Sequence, residues 1–137
     1  MQPQITVETT INQPIEKIWK YWNEPEHIKN WCHASDDWHA PAATNDLRVG
    51  GIFVTTMASK DGTNSFDFNG AYTTVEENKK IEYTIEGGRK VTIEFIEVED
   101  GYKVIESFDS EDINPLEMQQ TGWQSILDNF KKYITKN

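Results

Sequence analysis

Residues 114–134, NPLEMQQTGWQSILDNFKKYI, describe one long helix with an unusually wide apolar face. Asn114 suits the N-cap position and Pro115 the first helical position, so the sequence predicts a helix from about Pro115 to Tyr133. The predicted face consists of Leu116, Gln120, Trp123, Ile126, Leu127, Phe130, Tyr133 and Ile134. An apolar face this wide predicts a helix held inside a concave surface, because a helix lying on a flat sheet needs a narrower one.

The segments before this helix alternate apolar and polar residues with the period of two that a half-buried strand requires. These segments are residues 52–58, 65–75, 80–86, 90–98 and 102–108. Turn-forming residues separate them, at 60–64, at Gly87-Gly88 and at Asp100-Gly101. Residues 32–49 are mixed and predict one or two further short strands. Regular short connections of this kind indicate an antiparallel meander.

The amino-terminal part predicts one strand followed by two short helices. Residues 5–11 alternate as a strand, and Pro14 then precedes an apolar stripe of helical spacing that ends at Trp22. The segment EPEHIKNW, residues 24–31, predicts the second helix. The whole chain of 137 residues has the length of one domain, so we expect a single α+β domain over residues 1–137. Its predicted architecture is the helix-grip fold, a curved antiparallel sheet around the C-terminal helix.

Composition excludes several classes of function. The formal net charge of −10 repels phosphate backbones and anionic membranes, so we expect neither nucleic acid nor a membrane as a partner. A single cysteine, Cys32, forms no disulfide within the chain and fits a reducing compartment. The polar start MQPQITVETTIN shows no signal peptide, and no apolar run approaches the ~20 residues that span a bilayer. The sequence therefore predicts a cytoplasmic protein.

Catalytic and metal-binding motifs are missing from the sequence. Cys32, His33 and His39 match no common zinc spacing, so we expect no metal. There is no GxSxG elbow, phosphate-binding glycine loop or HExxH motif, so no catalytic residue and no cofactor is predicted. The pair Gly50-Gly51 opens a strand and not a helix, which favours a tight turn over an anion site.

Glu106 is the one acidic residue that the alternation places among inward-facing neighbours, Val104 and Phe108. A carboxylate in an apolar cavity would have a raised pKa and could act as an acid or a base. The alternative is that the last strand bends there, so that Glu106 reaches water or a basic side chain. We favour this second interpretation at the level of sequence.

Three motifs resemble those of a known family. They are DLRVGG at 46–51, followed by Phe53 and Met57; FNGAY at 68–72; and GWQSILDNF at 122–130. In these motifs and in the order of its predicted elements the chain resembles the START-like superfamily, also called SRPBCC or polyketide-cyclase-like. Within that superfamily it is similar to bacterial proteins related to the C-terminal domain of the heat-shock-protein-90 ATPase activator. The resemblance implies the helix-grip fold and a co-chaperone role.

A sheet that grips one helix often encloses more space than its side chains fill, and an apolar pocket is the default ligand site. We therefore expect a small hydrophobic molecule as the ligand and no catalytic activity. The predicted wall consists of Phe53, Met57, Phe68, Tyr72, Tyr83, Phe95, Gln120, Trp123 and Leu127. Two alternatives stay open: a partner that stimulates a heat-shock-protein-90-type ATPase, and a cavity enzyme such as a cyclase or hydrolase. Either a monomer or a homodimer fits the sequence.

Overall fold

The computed structural model describes residues 3–137, which form seven strands and three α-helices. The strands are β1 (Gln4–Ile11), β2 (Trp38–Asn45), β3 (Ile52–Ser59), β4 (Ser65–Glu76), β5 (Lys80–Ile85), β6 (Arg89–Val98) and β7 (Gly101–Asp109). The helices are α1 (Ile15–Asn23), α2 (Pro25–Trp31) and α3 (Leu116–Lys136). This order confirms the predicted sequence of one strand, two short helices, a meander and a long terminal helix.

All seven strands belong to one antiparallel sheet with the order β1-β7-β6-β5-β4-β3-β2. Strands β2 to β7 therefore form the predicted meander, and β1 pairs with β7 at its far side. The indole ring of Trp123 on α3 contacts both Phe108 on β7 and Phe68 on β4. Because these two strands are not neighbours, one side chain can touch both only if the sheet curls around the helix.

The curl depends on Gly70 in the middle of β4. A Cβ atom at this position would lie 2.9 Å from the carbonyl oxygen of Thr84 and 3.0 Å from the ring of Phe53, its cross-strand partner. The ring of Phe53 therefore packs directly over the glycine backbone, which a larger residue would prevent. The register of β4 against β5 also shifts between Tyr72 and Thr74. Both features bend the strand, as glycine and bulges do in strongly curved sheets.

Gly50 and Gly51 form the predicted tight turn into β3. Gly50 has a φ of 85°, which favours glycine, and a Cβ on Gly51 would collide with the carbonyl oxygen of Asp46. The Gly50 N–H donates to the carbonyl oxygen of Tyr72 at 2.9 Å, and the Tyr72 N–H donates to that of Gly51 at 3.0 Å. The pair thus connects the turn to β4, which confirms the structural interpretation.

The start of α3 differs from the prediction. Pro115 occupies the N-cap position without a side-chain cap, and the helix begins at Leu116. Asn114 does not cap the helix; instead its backbone N–H donates to Glu111 Oε1 at 2.6 Å. Leu116 and Gln120 are exposed, so the predicted apolar face is wrong at its first turn.

The core lies where α1, α2 and α3 meet the concave face of the sheet. Phe130 is fully buried on α3, and its ring meets those of Trp22 and Trp31 edge-on, with centroids 4.9 Å away in each case. Trp19 packs against Phe95 at 5.6 Å. Over residues 3–137, no helix combines the length and the apolar character needed to cross a bilayer.

Candidate functional site

A pocket of about 320 Å³ lies between the concave face of the sheet and α3. Aromatic and aliphatic side chains form most of its wall. Six of the nine residues predicted for the wall line this pocket: Phe53, Met57, Phe68, Tyr72, Tyr83 and Trp123. Period-two alternation brings the strand residues to the concave face, and α3 supplies Trp123 from the opposite side.

Three predicted wall residues do not line the pocket. Phe95 is buried against Trp19 and Trp22, so it belongs to the filled part of the core. Leu127 is fully buried one turn further along α3, also among packed side chains. Gln120 is exposed and lines a shallow depression on the outer side of α3. For these three residues the predicted positions in the wall are wrong.

Contacts between aromatic rings hold the wall in place. The ring of Phe53 lies 4.7 Å from that of Tyr83, 5.5 Å from Tyr72 and 5.6 Å from Phe68, measured between centroids. Trp123 stacks on Phe108 at 3.9 Å with an angle of 12° between the ring planes. Such pairs contribute about 0.5–1.5 kcal/mol each beyond their buried area, so they stabilise the arrangement of the aromatic wall.

One side of the pocket carries a hydrogen-bonded chain of polar groups. The Tyr72 hydroxyl donates to Asn45 Oδ1 at 2.6 Å, and Asn45 Nδ2 donates to the carbonyl oxygen of Asn23 at 2.7 Å. Burial raises the pKa of Tyr72, so the hydroxyl keeps its proton. This chain joins β4 to the end of β2 and the end of α1. Its hydrogen bonds are directed within the protein, so Tyr72 contributes mainly shape to the pocket.

Glu106 faces the pocket, and the sequence-based preference for a solvated position is wrong. Strand β7 does not bend at Glu106; the residue pairs with Ile93 and Val7 in regular register. The side chain is only 6% exposed and lines the pocket. Burial raises the pKa of its carboxyl group to about 8, with no compensating charge or hydrogen bond from residues 3–137. The carboxyl group is therefore largely protonated at neutral pH.

Cys32 and Tyr83 lie near enough to Glu106 for its charge to affect them. Burial, and secondly the Glu106 charge, raise the pKa of the Cys32 thiol to about 12. The same two causes raise the pKa of the Tyr83 hydroxyl well above its usual value. All three groups line the pocket and carry their protons at pH 7. The sequence did not show this convergence, because the three residues come from the end of α2, from β5 and from β7.

A clamp around Gln119 holds the segment that enters α3. Its side-chain amide donates to the carbonyl oxygens of Glu111 at 3.1 Å and Asn114 at 2.8 Å, and its Oε1 accepts from the Glu111 N–H at 2.9 Å. Glu111 and Asn114 line the pocket, so this clamp shapes its rim. The sequence pointed to Gln120 instead. The seven-residue spacing from Gln119 to Ile126 is the signal that places Gln119 on the inward flank.

Among residues 3–137, no three His, Cys, Asp or Glu side chains come together as metal ligands would. His27 stacks on Tyr21 at 3.9 Å, and its Nδ1 lies 2.7 Å from the Tyr133 hydroxyl. This histidine therefore joins α2 to α3 and has a structural role.

The buried position of Cys32 predicts slow thiol chemistry. The thiolate is the nucleophile, and a pKa of about 12 leaves very little of it at pH 8. We expect a disulfide reagent such as dithionitrobenzoate to label Cys32 at least about a hundredfold more slowly in the folded protein than in 6 M guanidinium chloride. Comparable rates in the two conditions would contradict this placement of the thiol.

A curved antiparallel sheet that holds a long C-terminal helix defines an α+β protein of the helix-grip, START-like class. More specifically, the chain belongs to the family described as Activator of Hsp90 ATPase homolog 1-like protein, whose sequence pattern matches residues 12–135. The resemblance seen in the three sequence motifs is thereby confirmed. No curated protein matches the chain significantly.

Solved structures support the same assignment. An AHSA1-like protein from Aeromonas hydrophila is 42% identical, with a TM-score of 0.92 over 98% of this chain and 93% of that one. A protein from Cytophaga hutchinsonii is 58% identical, with a TM-score of 0.84 over 98% of this chain and 93% of that one. A protein from Nitrosomonas europaea shares only 18% identity at a TM-score of 0.82 over 97% and 94%, which shows the common fold alone.

Proposed function

We propose that the protein binds a small, mainly apolar molecule in the pocket between the sheet and α3. The observation that carries this proposal is the pocket itself, about 320 Å³ in volume and walled largely by aromatic rings. Ligand sites in proteins typically measure about 300–1,000 Å³ and combine an apolar wall with a few polar groups. Met57 adds a flexible side chain, which suits a site that accepts different shapes.

Binding is tested with a panel of fatty acids, flavonoids and hydrophobic dyes. A ligand that binds only the folded protein raises the melting temperature by mass action, by an amount that grows with its concentration. Trp22, Trp31 and Trp123 line the pocket, so ligand binding also changes tryptophan fluorescence. If no compound in the panel shifts either signal, the proposal fails.

Thr55→Phe is expected to weaken binding of any positive compound at least about tenfold, because the new ring occupies the pocket. Thr55 is buried on β3 and lines the pocket. The matched control is Val54→Phe, since alternation directs this neighbouring side chain to the convex face of the same strand. Calorimetric titration of both variants gives the affinities. Equal affinity for the two variants would contradict a ligand site at Thr55.

The second candidate function is contact with a chaperone of the heat-shock-protein-90 type. The family description names an activator of such an ATPase, and this is the observation that favours it. Ile113, Leu116 and Met118 expose apolar side chains around the start of α3, where a partner protein could bind. The test measures ATP hydrolysis by a purified bacterial chaperone of this type with and without the protein. A rate unchanged at an excess of the protein rules this function out.

A further inference from the structure

Cys32, Tyr83 and Glu106 form one of the polar regions that line the pocket. The three side chains come from the residue that follows α2, from β5 and from β7, so the fold and not the local sequence brings them together. Glu106 is more than nine-tenths buried and has no hydrogen bond or ion pair with any of residues 3–137. A buried polar group without a partner is costly, and a ligand that supplies the partner recovers that cost.

We propose that this polar region recognises an uncharged molecule through an acceptor oxygen, such as the carbonyl of a ketone or ester, with the Glu106 carboxyl and the Tyr83 hydroxyl as donors. The inference rests on the proposed function, because it names the chemical class of the ligand for the same pocket. The apolar part of the ligand packs against the aromatic wall. The acceptor oxygen determines its orientation, because it faces the donor groups of Glu106 and Tyr83.

The protonation state of the three polar groups favours an uncharged ligand with an acceptor oxygen over a cationic ligand. At neutral pH the groups Cys32, Tyr83 and Glu106 all act as donors, since burial keeps their protons on. An ammonium group cannot accept from any of them. To form an ion pair, it would have to ionise Glu106 in an apolar site, against the desolvation that raises its pKa.

The remaining titratable groups around the pocket do not change this conclusion. The Tyr72 hydroxyl already donates to Asn45, within the protein. Arg89 lines the pocket but directs one guanidinium N–H to the carbonyl oxygen of Asp109 at 3.4 Å. Glu111 lines it as well and accepts from the Asn114 N–H. None of these groups forms an ion pair with Glu106, so the donor character of the polar region is set by Glu106, Tyr83 and Cys32.

The test compares three compounds of nearly the same shape: benzophenone, diphenylmethane and diphenylmethylamine. Their apolar parts are the same, and they differ in carrying a carbonyl oxygen, no polar group or an ammonium group. At pH 6.5 we expect benzophenone to bind about tenfold more tightly than diphenylmethane and more tightly still than the amine. Competition against a bound fluorescent dye gives the affinities.

Variants at Glu106 assign the effect to its carboxyl group. Glu106→Gln keeps an N–H donor and is expected to preserve the preference for benzophenone, whereas Glu106→Leu is expected to reduce it to within about twofold. As the pH rises from 6.5 to 9.5, the wild-type preference falls because the carboxyl loses its proton, while that of Glu106→Gln stays constant. Glu94→Gln, a carboxylate on the convex side of β6, serves as the matched control and should behave as the wild type.

Other affinity rankings of the three compounds would contradict the proposal. If diphenylmethane binds as tightly as benzophenone, the pocket binds apolar molecules but the donor assignment is wrong. Preference for the amine would show that Glu106 acts as an ionised partner, which also overturns it. If none of the three compounds binds and the wider panel fails as well, the proposed function itself fails. Circular dichroism of each variant establishes that it is folded before its affinity is compared.

Discussion

Phe130→Ala is expected to lower the free energy of unfolding by about 3–5 kcal/mol, the range for deleting a buried aromatic side chain. Phe130 is fully buried, and its ring packs edge-on against Trp22 and Trp31. It therefore connects α3 to both short helices. Because these rings pack at fixed angles, the surrounding structure cannot collapse fully into the space that the substitution leaves.

Leu116→Ala is the matched control for Phe130→Ala. Both residues lie on α3, but Leu116 is exposed, so its substitution is expected to change the free energy of unfolding by less than about 0.5 kcal/mol. Urea unfolding followed by tryptophan fluorescence and by circular dichroism gives both values. A cost below about 1 kcal/mol for Phe130→Ala would show that α3 is not packed as described.

Glu106→Gln is expected to raise the free energy of unfolding by about 3 kcal/mol at pH 7, an unusual direction for a buried residue. The unfolded chain ionises Glu106 near its ordinary pKa of 4.5, whereas the folded protein keeps the proton up to a pKa of about 8. Between these values the folded state binds one more proton than the unfolded state. Stability due to Glu106 is thus fully present below pH 4.5 and is lost as the pH rises towards 8, by about 1.4 kcal/mol per unit.

The neutral glutamine removes this dependence. We expect the wild type and Glu106→Gln to have similar stability at pH 4 and to diverge steadily up to pH 8. Tyr83 and Cys32 face the same carboxyl group, but their pKa values lie above this range, so they add no slope within it. Urea unfolding at several pH values supplies the curves, with Glu94→Gln as the control. Parallel curves for wild type and Glu106→Gln would mean that Glu106 is ionised in the folded state.

The architecture was predictable from sequence because its signals are local and repeated. Each strand of the meander carries its own alternation, and Gly87, Gly88 and Gly101 at the turns all have positive φ. The long helix was equally clear, although its first turn was not. Asn114 has good capping chemistry, yet the Glu111 side chain binds its backbone, and a contact of this kind cannot be read from helix propensity.

The candidate site was only partly predictable, since it depends on which inward-facing residues leave space between them. Alternation placed Phe53 and Tyr83 on the concave face but gave no way to tell them from Phe95, which the neighbouring tryptophans cover. For Glu106 the alternation pointed inward, and the general cost of burying a carboxyl favoured the wrong alternative. That cost is reduced by protonation, which is a property of the assembled pocket.

The pairing of β1 with β7 has a consequence for folding of the protein during its synthesis on the ribosome. Gln4 lies opposite Asp109 and Ile11 opposite Tyr102. During synthesis the backbone edge of β1 therefore has no partner strand until β7 has been made. Contacts between residues so far apart in sequence form slowly, because closing the long intervening loop costs conformational entropy. Until β7 is made, the side chains of Ile5 and Val7, which are buried in the folded protein, are exposed in the nascent chain. Pairing with residues 101–109 therefore removes the open edge of β1, which could otherwise pair with another chain.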